Sequence, residues 1–244
     1  MSALIDYTLH LADNALILGQ RNSEWCGHGP ILEQDIAITN ISLDLIGQAR
    51  SFYQYAAQLK ADGSTEDSLA YLRTEREFKN CLLVEQPNGD WGQTILRQFL
   101  FSNFQFHLYQ YLLSSPYNTI AAIAEKSLKE VKYHLRWSSE WVIRLGDGTE
   151  ESYTKMLTAI DELWRYTGEL FVPAAFEQES GIDVASLKND WQNKVKAVFE
   201  EAALTVPENT FMQTGGKTGK HTEHLGYILS DLQYMQRAYP GSEW

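Results

Sequence analysis

Cysteine is nearly absent: two residues in 244, Cys26 and Cys81, with no CxxC pair and no Cys/His cluster. That excludes a disulfide framework and a cysteine-based zinc site, and both residues are expected to be free thiols. Positive charge is also scarce, with 20 Lys and Arg against 32 Asp and Glu for a net charge of −12. Nucleic acid and anionic membranes demand basic surface, so neither is expected as a partner. No apolar run approaches the about 18 residues that a bilayer span needs. Asp6, His10 and Asp13 stand where a signal peptide would carry its apolar core, so the chain is expected to be cytoplasmic. No GxSxG, P-loop or GxGxxG occurs, which leaves nucleophilic, phosphoryl-transfer and dinucleotide chemistry without a motif. Period-two alternation is missing too, and the fold class that remains is all-α.

What the chain does have is helical periodicity. Residues 118 to 146 place Ala121, Ala124, Leu128, Val131, Leu135, Ser138, Val142 and Leu145 at steps of three and four, the seam of a long bundle helix. Further helices are expected over 3–18, closed by Gly19, and over 31–60, opened by Pro30. A shorter one is expected near 66–83 inside a long crossover, then others at 91–114, 149–171, 184–204 and 221–238. Residues 213–220 (QTGGKTGK) read as a flexible loop. One domain over 1–244 is expected, a ferritin-like four-helix bundle core with additional C-terminal helices.

Such bundles commonly hold two irons, using a Glu on each of two helices and Glu-x-x-His on the other two. No Asp or Glu in this chain has a His three residues later. The corresponding positions read Asp44-x-x-Gly47 and Val131-x-x-His134, with Asn103 preceding the second pair as Asp13 or Asn14 precedes the first. The set looks degenerate, and no metal is expected in this chain. Buried carboxylates left without a cation repel one another, so loss of one ligand favours loss of the rest. Gly47 weakens a helix interior, and a close helix approach is expected to explain it. His221 and His224 could form half a zinc site, but no cluster completes it.

Six blocks carry a resemblance: RNSEWCGHGPILEQDIAITNISLDLIGQAR (21–50), EQPNGDW (85–91), KEVKYHLRW (129–137), LGDGTEES (145–152), LWRYTGELF (163–171) and GKHTEHLGYILSDLQ (219–233). Across nearly its whole length the chain resembles the non-catalytic, ferritin-like (PaaC-type) subunits of bacterial phenylacetyl-CoA epoxidases. The resemblance implies a structural role in a multicomponent oxygenase of aerobic phenylacetate degradation, tightly paired with a catalytic di-iron subunit. It implies no cofactor in this chain, iron in the partner, and NADPH, flavin and an iron-sulfur cluster at a reductase. The alternatives are a stand-alone ferritin-like oxidase or iron-storage protein, against which the absent ligand motif counts, and a helical binding module for another partner. Phenylacetyl-CoA at a subunit interface would want cations beside an aromatic face. Arg73, Arg76, Phe78 and Lys79 in the crossover offer that combination, whereas the basic run from Lys126 to Arg136 reads as a solvated helix face.

Overall fold

The computed structural model describes residues 2–208 and 210–242, so the ends of the expected 1–244 domain lie outside the described residues. Every element among the described residues is helical, and the expected all-α class holds. The chain forms two compact units, each drawn from more than one stretch of sequence. One comprises Met1–Gln86, Ala174–Gly181 and Gly215–Trp244, the other Pro87–Pro173 and Ile182–Thr214.

The first unit is built on the hairpin of α1 (Ser2–Ser23) and α2 (Leu32–Lys60). Residues 7 to 19 of α1 are all buried, so this helix is surrounded rather than amphipathic. Gly19 does not end it, as the sequence pattern predicts. A β-carbon there would lie 3.2 Å from Leu45 Cβ, so the glycine lets α1 and α2 approach and the helix runs on to Ser23. Ile38, Ile41, Leu45, Phe52 and Ala56 form the inward stripe of α2. The crossover does not form one helix over 66–83. It gives α3 (Glu66–Tyr71), a single 3₁₀ turn at Glu75–Glu77 and α4 (Leu82–Glu85), because the backbone between them is drawn into hydrogen bonds with α1. Later segments α8 (Ala175–Glu179), α10 (Glu223–Leu232) and α11 (Tyr234–Ala238) complete the unit.

The second unit repeats the plan with α5 (Trp91–Leu112) and α6 (Asn118–Gly146). The two long helices measure 22 and 29 residues in each unit, a repeat of architecture where the sequence shows none. Two such hairpins are the elements of a ferritin-like core. Asp90 caps α5 by accepting from the Gln93 amide, which is where the chain leaves its crossover. Against the pair lie α7 (Glu150–Leu163) and α9 (Lys188–Glu201), joined to α5 through a run of aromatic contacts, Phe104 to Phe171 to Trp191 to Trp164, at centroid separations of 5.2–5.8 Å. Trp191 donates its indole N–H to the Leu100 carbonyl, and its own carbonyl accepts from Asn103. The helix predicted over 149–171 stops at Leu163 and continues as 3₁₀ turns to Phe171. Gly168 packs against Met212 with no room for a β-carbon, and the Arg165 carbonyl accepts from the Gln213 amide. The segment packing there takes over hydrogen bonding that a longer helix would supply.

Candidate functional site

The positions that sequence spacing offers for a di-iron site are poorly equipped here. On α2, Asp44 is half-buried and Gly47 is exposed, with nothing within 4 Å of where a β-carbon would lie. The position expected to have lost a ligand histidine therefore faces away from the packed stripe of the helix and is not an inward ligand position. On α5 and α6, Asn103, Val131 and His134 are buried. Glycine and valine supply no donor atom, and the Asn103 amide nitrogen is committed to the Trp191 carbonyl. Of the five, only Asp44 and His134 are ordinary iron ligands, so the residues present do not fit the metal centre of the fold family. Among the described residues no group of three or more His, Cys, Asp or Glu is placed to hold a metal ion.

The four residues expected to meet CoA are separated by burial. Arg73 turns inward and grips Asp13 with both terminal nitrogens, while its guanidinium lies 4.2 Å from the centroid of the fully buried Phe78 ring. Those two are therefore taken up by the interior. Lys79 donates its amide N–H to Asp13 at 2.8 Å, its carbonyl accepts from His10 Nδ1 at 2.6 Å, and its ammonium stands 3.6 Å from Asp6. Arg76 alone of the four is exposed. Sequence spacing could not reveal this, because the partner that claims Arg73 lies 60 residues earlier.

What the first unit contains instead is a buried ionic core with three carboxylates. Asp13 accepts from Arg73, Lys79 N and the Tyr53 hydroxyl, the last at 2.5 Å. Glu85 accepts from Asn80, His221 Nδ1 and both the amide and hydroxyl of Thr222, all at 2.7–2.8 Å. Glu177 receives two hydrogen bonds from the Lys217 ammonium at 3.0 Å and one from the Ala174 amide at 2.7 Å. The segment expected to be a flexible loop is thus anchored at its centre. Lys217 is buried, a β-carbon on Gly216 would come within 2.3 Å of the Asn80 carbonyl oxygen, and one on Gly219 equally near that of Arg76. His221, half of the zinc pair that the sequence offers, has Nδ1 on Glu85 and Nε2 on the Phe78 carbonyl at 3.0 Å. With Glu85 and the Phe78 carbonyl at its two nitrogens, the ring is committed on both sides and offers no open position to a metal.

The two histidines of this core titrate in opposite directions. Burial lowers the His10 pKa to about 4 and the Lys217 charge adds to that, against Glu177, the Lys79 carbonyl and Asp13. Burial alone would lower His221, but its bond to Glu85, the charge of that carboxylate and the Phe78 carbonyl outweigh burial and raise it. Between pH 6.5 and 4 the unfolded chain therefore takes up a proton at His10 that the folded chain refuses. Stability is expected to fall as pH drops through that window, by up to about 3 kcal/mol. His221 contributes in full below its unfolded pKa and is lost only as pH rises past its folded one, so it does not produce the acid loss. Urea unfolding of His10→Gln at pH 4.5 and 7 checks this: the acid decrement should shrink relative to the natural chain, and an unchanged decrement would remove His10 as its source.

In the second unit a cleft of about 970 Å³ lies between α6 and α9. Lys129, Lys132 and Arg136 stand on one wall, Lys194 on the other, and Phe106 and Tyr133 supply aromatic surface. The Arg136 guanidinium is 5.7 Å from the Tyr133 centroid. Glu140, Asp190 and Glu201 also reach the cleft, so the charge is mixed. The basic run on α6 is exposed, as expected of a solvated face, and three of its members also form one wall of this concave surface. The i, i+3, i+7 spacing of Lys129, Lys132 and Arg136 is its signal in the sequence.

The comparisons with known proteins agree with the resemblance. A subunit of 1,2-phenylacetyl-CoA epoxidase from Escherichia coli (strain K12) is 49% identical over 249 residues, covering 100% of both chains. Among the described residues no helix is long and apolar enough to cross a membrane. The family model described as phenylacetic acid catabolic protein matches residues 1–244, and this chain belongs to that family.

Proposed function

We propose that the chain is the structural, non-catalytic subunit of a cytoplasmic, multicomponent oxygenase that epoxidises the ring of phenylacetyl-CoA. Its two units act as one ferritin-like domain, which pairs with and supports a catalytic di-iron subunit. The observation that carries this reading is that no Asp or Glu in the chain has a His three residues later, so the motif that supplies both histidines of a di-iron bundle is absent from the sequence. The likeness to the Escherichia coli protein over both full lengths supports it. In this assignment iron resides in the companion subunit, and electrons from NADPH arrive through a reductase carrying flavin and an iron-sulfur cluster. The contribution of this chain is to present rigid surface. Iron analysis of the chain purified alone and with its companion is the test. Iron confined to the complex is expected, and near-stoichiometric iron in the isolated chain would restore the stand-alone oxidase or storage reading.

CoA contact is assigned to the α6–α9 cleft, because it joins exposed cations to an aromatic surface whereas two of the four crossover residues are buried. Phosphates would meet Lys129, Lys132 and Arg136, and the adenine would meet Tyr133 or Phe106. Charged hydrogen bonds contribute about 1.5–3 kcal/mol each, so Lys132→Ala with Arg136→Ala should weaken CoA binding by the assembled complex at least about tenfold. Arg76→Ala should leave it nearly unchanged. The reverse pattern would return the site to the crossover.

A further inference from the structure

Helix α2 has a second apolar stripe that no described part of the chain covers. Leu32 is 72% exposed, Ile36 51%, Leu43 61% and Ile46 39%. Steps of four, seven and three residues keep them on one helical face, opposite the face that packs into the unit. Gly47 borders this stripe in the interior of a 29-residue helix. A β-carbon there would have nothing within 4 Å, so the close helix approach expected at this glycine is not made by any described element of this chain. A glycine that weakens a long helix without easing any internal contact makes sense where another backbone comes close from outside.

Charge identifies the occupant. Glu33 and Asp44 flank one side of the stripe and Asp35 the other, while Arg50 at its end already stands 3.5 Å from Glu66. The chain as a whole carries −12. Two copies packed through this face would set acid against acid, whereas a helix with an apolar contact side and basic flanks would be complementary. We propose that the α2 stripe from Leu32 to Gly47 seats a helix of the companion di-iron subunit, crossing closest at Gly47, with lysine or arginine beside Glu33. This rests on the subunit-pairing reading above and adds the surface to it.

The test measures affinity between full-length chain and companion subunit together with the thermal stability of the isolated chain. Gly47→Leu should raise the melting temperature of the isolated chain by about 2–4 °C, since leucine is the better helix former and meets nothing there. The same substitution should weaken pairing at least about tenfold, and Leu43→Glu about a hundredfold. Stability gained and affinity lost in one variant is the signature of a glycine kept for a partner. Glu33→Lys should weaken pairing further as the basic flank is repelled. Unchanged affinity in Gly47→Leu and Leu43→Glu would overturn the surface while leaving pairing intact. Failure of the natural chain to bind the companion at all would overturn the pairing reading instead. Self-association abolished by Leu43→Glu, with companion affinity untouched, would assign the stripe to a second copy and overturn the proposal.

Discussion

Replacing Asp13 by alanine is expected to lower the unfolding free energy by about 3–5 kcal/mol, the range for stranding one member of a buried ion pair. The substitution leaves the Arg73 guanidinium charged and enclosed, and at the same time orphans the Tyr53 hydroxyl and the Lys79 amide. None of those donors can reach water without opening the crossover from α1. Asp13→Asn keeps an acceptor of the same shape and should lose less, which separates hydrogen bonding from charge. Urea unfolding followed by circular dichroism reads both variants. A loss in Asp13→Ala below about 1 kcal/mol, the scale of one ordinary hydrogen bond, would show that the crossover is held by its apolar contacts instead.

Lys217→Met should have an effect of similar size, about 3–5 kcal/mol, for the complementary reason. It leaves the Glu177 carboxylate fully buried, facing the Ala174 amide and the neutral His10 ring 3.8 Å away. Burial, the largest cause of the lowered His10 pKa, persists in the variant and opposes protonation of the ring, so His10 is a poor substitute for the lost ammonium at neutral pH. Combining Lys217→Met with Glu177→Gln removes the stranded charge, and the double variant should recover most of the stability that the single one loses. That cycle isolates the pair from the packing of its stems. Equal losses in the single and double variants would mean that Glu177 is not the reason for burying Lys217. Hydrogen exchange at amides near residues 174–181 and 215–222 locates the opening that results.

Both predictions concern features that local sequence patterns hide. The seam of α6 is legible because a helix face is encoded every three to four residues, and its expected limits, 118 and 146, match the observed Asn118–Gly146. The missing Glu-x-x-His is legible for the same reason, a fixed short spacing. The segment QTGGKTGK reads as mobile because glycine and lysine are abundant in mobile loops. Its order comes from Glu177, 40 positions away, and from carbonyls of residues 76 and 80 that the glycines allow to come near. Sequence pattern misplaces Arg73 and Phe78 likewise, as a cation beside an aromatic ring looks the same whether it faces a ligand or an interior aspartate. The α2 stripe is half legible. Leu32, Ile36 and Leu43 lie off the face that the core uses, but only the structure shows them left uncovered among the described residues.

The discontinuity of the first unit sets an order of events during synthesis. Glu85 leaves the ribosome 136 residues ahead of His221, an interval of roughly 7–27 s at typical elongation rates. Glu177 likewise precedes Lys217, by 40 residues, so Glu85 and then Glu177 emerge before the C-terminal groups that pair with them. Until then, Glu85 lacks three of the four hydrogen bonds that its side chain receives in the finished structure. The α1–α2 hairpin is the nascent chain's holding structure, and the last thirty residues are the latch that closes it. A ribosome stalled at residue 216 would therefore display an open first unit, sensitive to protease at the crossover, when all residues of the second unit, 87–173 and 182–214, have been made.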